Sequence, residues 1–157
     1  MKRLKYENGA IDSIDQQLLD ALSDNARISN ADLARLVELS APSVTERIKR
    51  LEGSGVLGGY TIRVNPAALG LPLSVWLRIR PIPGKHNRVA GILKEIPEIV
   101  ECDRVTGEDC FVAKAHVKSV TELEALIDLI IPYAMTNTSL IQSSPVEQRL
   151  PKYSFTV

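Results

Sequence analysis

The chain has 157 residues, of which 45% are hydrophobic and 24% charged, with Lys+Arg and Asp+Glu equal at 19 each. Such a composition is ordinary for a soluble globular protein of one domain or two small ones, and zero net charge argues against indiscriminate binding to polyanions while leaving room for a local basic patch. Two cysteines (Cys102, Cys110) and two histidines (His86, His116) build neither a disulfide framework nor a metal cluster, and no apolar run approaches the ~18–20 residues of a membrane span.

Residues 1–11 read as loose, with Asn8-Gly9 as a turn signal. The basic residues there have no apolar core behind them, so a signal peptide is not expected, and free thiols fit a cytoplasmic protein. A first helix follows, capped by Asp12 or Ser13, with Ile14, Leu18, Leu19 and Leu22 on one face and Asp24-Asn25 at its end. Ser29 caps a second helix with Asp32 in the capping-box position, and Leu33, Leu36 and Val37 mark its buried side. Glu38-Leu39 leaves room only for a turn. Ser40 caps a third helix with Pro42 in its first turn, Val44, Ile48 and Leu51 on its buried face, and Gly53 and Gly55 at its end. The three apolar stripes can pack into one unit.

On the opposite side of the third helix lie Ser43, Glu46, Lys49 and Arg50, flanked by Thr45 and Arg47. Hydroxyls, a carboxylate and cations on the outside fit the second helix of a helix-turn-helix. A plain helical hairpin with a solvated polar face would look the same. From Ser40 to Arg63 the positive charges exceed the negative by two, a modest patch whose affinity would rest on more than one copy. Tyr60, Ile62 and Val64 then alternate with Thr61 and Arg63 as a short strand cut by Asn65-Pro66, either a wing or a connector. A short helical turn or linker runs from Ala67 to Pro72. The expected division is a helix-turn-helix domain over 1–60, a linker over 61–72 and a second domain over 73–157.

The second half has a strand from Leu73 to Arg80, a helix from Asn87 to Ile96 and a hairpin of Val100–Thr106 with Cys110–Val117 across Gly107-Glu108-Asp109. A helix capped by Ser119 with Glu122 in the box position follows, its apolar face using Val120, Leu123, Leu126, Ile127 and Ile130. The last strand runs from Thr136 to Ser143. This β-α-β-β-α-β order predicts a ferredoxin-like α+β domain, one antiparallel sheet with both helices on one face. The other face, with Trp76, calls for a cover, and a partner subunit suits it.

Ser40, Val44, Arg47, Leu51 and Gly55, then Gly59-Tyr60, Asn65-Pro66 with Leu69-Gly70, and the Val-Glu-Cys and Val-Thr-Gly-Glu-Asp-Cys-Phe segments together resemble the Lrp/AsnC family of transcription regulators. The resemblance runs from about Ile11 to about Arg149. It implies sequence-specific binding to double-stranded DNA, dimers formed through the C-terminal sheets, assembly to tetramers or octamers, and an amino acid effector bound between dimers. By motif, the effector residues would be Thr106, Gly107, Glu108, Asp109 and Cys110 of the loop, with Thr136, Thr138 and Ser139 of the last strand. Many members carry Gly-Asp-Tyr-Asp in that loop. Here the second acidic position is Cys110, so either Glu108 or Asp109 would meet the effector's ammonium. The loop also reads as a plain turn with Gly107 at positive φ.

For DNA, the helix geometry assigns Ser43, Glu46 and Arg50 to base edges and Ser40, Arg47 and Lys49 to phosphates, with Thr45 beside them. Arg47 has a competing role, pairing with an acid of the first helix. No catalytic set, metal site or cofactor is expected. Two other readings stay open: an enzyme resembling the sirohaem decarboxylases, using His86 or His116, and a module that binds amino acids without regulating genes.

Overall fold

The computed structural model describes residues 11–151. The Asn8-Gly9 turn lies outside them. The chain divides into two compact units, one reaching Ile62 and joined by the tail from Glu147, the other Arg63–Val146. The division between the two units falls between Ile62 and Arg63.

In the N-terminal unit, α1 (Ser13–Asp24), α2 (Asn30–Leu36) and α3 (Ala41–Gly53) start at side-chain caps. Asp12 and Asp15 form a reciprocal capping box on α1, Ser29 accepts the Asp32 N–H, and Ser40 accepts the Ser43 N–H at 3.3 Å. Glu38, at φ 55°, makes the tight turn between α2 and α3 in left-handed backbone. Leu18, Leu22, Leu33, Ala34, Val37, Val44 and Ile48 form one buried cluster. Leu36 does not join it. It is 50% exposed, because the buried arc of α2 runs from Leu33 through Val37 to Ala34 and leaves Leu36 beyond its edge.

No strand forms over Tyr60–Val64, and there is no wing among the described residues. The alternation is real, but no strand among the described residues pairs with it, and Ile62 is 82% exposed. A short 3-10 turn (Pro66–Leu69) follows, capped by the Asn65 side chain and closed by Gly70 at φ 81°.

The C-terminal unit is α+β and follows the expected order: β1 (Leu73–Pro81), α4 (His86–Glu95), β2 (Ile99–Arg104), β3 (Phe111–Val117), α5 (Val120–Ile130) and β4 (Ala134–Leu140). The sheet order is β2-β3-β1-β4 and each pairing is antiparallel. Alternation on β1 buries Val75, Leu77 and Ile79, and β3 buries Phe111, Ala113, Ala115 and Val117 on the same face. Val89 and Leu93 of α4 and Leu123, Leu126 and Ile130 of α5 complete this core. Val120, counted with the apolar face of α5 by its spacing, is 57% exposed at the helix start. The other face of the sheet is open and carries Ser74, Trp76, Arg78 and Arg80 of β1, the lattermost two beside Asn137 and Met135 of β4.

Candidate DNA-binding helix and effector cavity

With Val44, Ile48 and Leu51 buried, α3 turns Ser43, Glu46, Lys49 and Arg50 to solvent, and Thr45 and Arg47 are half-buried on its flanks. Ser43, Glu46, Arg47 and Arg50 line a shallow depression of about 390 Å³. The hydroxyls at the helix start are partly spoken for. Ser40 caps the helix and lies 2.8 Å from the Ser43 hydroxyl, while Thr45 donates to the Ala41 carbonyl at 2.9 Å and accepts from the Asn30 amide at 2.9 Å.

The two arginines share a partner that the apolar pattern did not reveal. Asp15 of α1 is fully buried, and its carboxylate takes Arg47 on one oxygen at 2.9 Å and Arg50 on the other at 2.5 Å. Arg47 also reaches Asp12 at 2.7 Å. Arg47 therefore adopts its competing role, as the ion-pair partner of the first helix. Burial pulls the Asp12 carboxyl up, but the Asp15 N–H and the Arg47 guanidinium outweigh it and hold that pKa below the ordinary value. The same hydrogen bonds to Asp12 and Asp15 raise the Arg47 pKa, so this guanidinium stays charged. Arg50 keeps 51% of its side chain exposed despite the pair. Lys49 makes no ion pair among the described residues and is the uncommitted cation of the outer face.

A second depression, of about 290 Å³, lies on the open side of the C-terminal sheet, lined by Arg78, Arg80, Asp109, Met135, Thr136 and Asn137. Directly paired residues share a sheet face, so the register of β1 with β4 sets Arg78 beside Asn137 and Arg80 beside Met135. The Arg78 guanidinium donates to the Asn137 amide oxygen at 3.1 Å. Arg80 pairs with Glu108 of the β2–β3 loop, and its Nε lies 3.8 Å from Asp109. Gly107 turns the loop at φ 107°.

Of the expected effector residues, Asp109 and Thr136 line this depression, and Glu108 is tied to it through Arg80. Thr106 and Gly107 are exposed loop residues outside the lining. Cys110 sits with its sulfur 3.4 Å from His86 Nε2. Thr138 pairs with Leu77, which puts it on the helix-covered face, and Ser139 pairs with Trp76, farther along the open face. The motif does not include Arg78, Arg80, Met135 and Asn137. Only the alternation of β1 pointed to the two arginines, and the cross-strand register was needed to join them to β4.

The Lrp/AsnC ligand-binding model matches residues 74–151, and the AsnC-type helix-turn-helix model matches residues 11–52. The chain belongs to the Lrp/AsnC family. It is 34% identical over 133 residues to the transcriptional regulator LrpC of Bacillus subtilis, covering 85% of this chain and 92% of that one. To the leucine-responsive regulatory protein of Haemophilus influenzae it is 36% identical, covering 80% of this chain and 78% of that one. The solved structure of B. subtilis LrpC superposes with a TM-score of 0.85 at 32% identity, covering 89% of this chain and 100% of that one. A feast or famine regulatory protein from M. tuberculosis, complexed with L-methionine, superposes at 0.83 with 32% identity, covering 90% and 99%.

As an Lrp/AsnC protein, the chain is a DNA-binding transcription regulator whose C-terminal unit is a ligand-binding domain. The sirohaem-decarboxylase-like reading is not favoured by these relatives, which are regulators. The two histidines are also apart: His116 bonds Ser74 at one end of β3, and His86 meets Cys110 at the other. No helix among the described residues is long and apolar enough to cross a membrane.

Proposed function

We propose that this regulator acts in the cytoplasm as a homodimer, assembling further to tetramers or octamers, and reads a pseudo-palindromic site with two copies of α3. Successive major-groove faces lie roughly one helical turn apart, a spacing that two-fold related helices can match. The observation that carries the reading is the division of α3: an apolar stripe holds it on α1 and α2, and Ser43, Glu46, Lys49 and half of the Arg50 side chain stay at the surface. On this reading Ser43, Glu46 and Arg50 meet base edges, while Lys49 and the helix start at Ser40 meet phosphate. Arg47 serves chiefly to hold α3 on α1, and Thr45 to hold it on α2.

The open sheet face supports the dimer. Trp76 is 38% exposed there, under the Lys114 ammonium at 5.7 Å from the ring centre, and a second copy would cover it. The cavity beside the β2–β3 loop takes an amino acid effector; that the M. tuberculosis relative is found complexed with L-methionine supports the ligand class. Effector binding would shift assembly, and through it the joint engagement of several DNA sites.

The test is binding to DNA upstream of the protein's own gene, at several salt concentrations, with and without a pool of amino acids. Salt-sensitive binding that survives competitor DNA and shifts with the pool is expected. Binding no stronger than to competitor would overturn the DNA reading, and binding indifferent to the pool would overturn the effector reading.

A further inference from the structure

The two guanidiniums of the C-terminal cavity stand in unequal surroundings. Arg80 is met by two carboxylates, Glu108 and Asp109. Arg78, two residues back along the same strand face, is met by none among the described residues. Its partner is the neutral amide of Asn137, at 3.1 Å. A guanidinium offers five N–H donors in a planar fork that matches a carboxylate, and one amide oxygen uses a small part of that capacity. Asp109 is the converse case. At 3.8 Å from Arg80 Nε it lies beyond hydrogen-bond reach, so its oxygens keep lone pairs for an incoming donor. One cavity thus presents a cation with no counter-charge among the described residues and a carboxylate with spare acceptors, with the apolar Met135 among its lining residues.

We infer that Arg78 is the anchor for the α-carboxylate of an amino acid effector, whose ammonium is received by Asp109. The inference rests on reading this cavity as the effector site, and it names the groups that fix the ligand there. Charge balance sets the ligand class. Arg78 and Arg80 are already matched in number by Glu108 and Asp109, so a zwitterion with an uncharged side chain enters without leaving excess charge. An acidic or basic side chain would add one. Asn137 orients the Arg78 fork without neutralising it, and a carboxylate in its place would occupy the anchor.

The experiment is calorimetric titration of the full chain with each of the standard L-amino acids. The tightest binder is then compared with its decarboxylated amine, and with the Arg78→Met and Asn137→Asp variants. The wild type is expected to prefer an uncharged side chain and to lose roughly tenfold to a hundredfold in affinity for the amine, the range of a charge-assisted bidentate contact. Arg78→Met is expected to lose affinity by a similar factor. Asn137→Asp, which keeps Arg78 but supplies a competing carboxylate, is expected to weaken binding as well. Melting curves without ligand check that both variants fold. Equal affinity of wild type and either folded variant for the amino acid, or equal affinity of wild type for acid and amine, overturns the inference while leaving the effector reading intact. If the wild type binds none of the amino acids, the effector reading fails and the inference with it.

Discussion

Asp15 and Arg47 lie 32 residues apart in sequence and meet at 2.9 Å, joining α1 to the outward-facing α3 through a fully buried carboxylate. Arg50 takes the other oxygen of the same carboxylate. Helix α3 is therefore held by charge as well as by its apolar stripe. Replacing Asp15 with Ala should destabilise the N-terminal unit by about 1–3 kcal/mol, less than for a fully desolvated pair because both arginines can reach water. Asp15→Asn should keep part of this stability. Chemical denaturation of the three proteins would check the order, and an unchanged Asp15→Ala midpoint would mean the pair contributes nothing.

Acid should loosen the same junction. The Asp12 carboxyl is held below its ordinary pKa in the folded protein, so the stability it contributes is present above the unfolded value of ~3.9 and is lost as pH falls through the folded one. A stability profile from neutral to acid pH should show a decline below about pH 4 that is shallower in Asp12→Asn. Identical profiles would remove Asp12 from the account.

The two cores can be probed separately. Leu18 in the N-terminal cluster and Leu77 in the C-terminal cluster are both fully buried. Truncation of either to Ala leaves a cavity and should cost about 2–5 kcal/mol. Hydrogen exchange should place the loss of protection in the unit that carries the substitution.

Trp76 is the chain's single tryptophan, so its fluorescence reports the open sheet face alone. Covering that face with a second copy should move emission to shorter wavelength as concentration rises, in step with the mass seen by sedimentation. Emission that stays fixed while the dimer forms would put the interface elsewhere.

Much of this architecture is legible in the sequence because it follows from local rules. Caps at Asp12, Ser29, Ser40 and Ser119 mark helix starts, and strict alternation along β1 and β3 marks the buried sheet face. Local pattern does not suffice where a long-range partner decides the outcome. Tyr60–Val64 alternates like a strand but has none beside it among the described residues. Asp15 reads as an ordinary polar helix residue until α3 packs over it and brings two arginines. Thr138 and Asn137 are adjacent polar residues, and only the register with Leu77 and Arg78 decides which of them faces the cavity.

If the outer face of α3 binds DNA phosphate and bases, affinity must fall as salt rises. Affinity for a duplex from upstream of the protein's own gene should be measured across salt concentrations for wild type, Lys49→Gln and Arg47→Gln. Lys49, which makes no ion pair among the described residues, should carry a phosphate contact, so Lys49→Gln is predicted to flatten the log–log slope by about 0.9 per copy engaged. Arg47, committed to Asp12 and Asp15, should change the slope less. A slope unmoved by Lys49→Gln, or affinity indifferent to salt, would contradict the account and take the DNA off this helix.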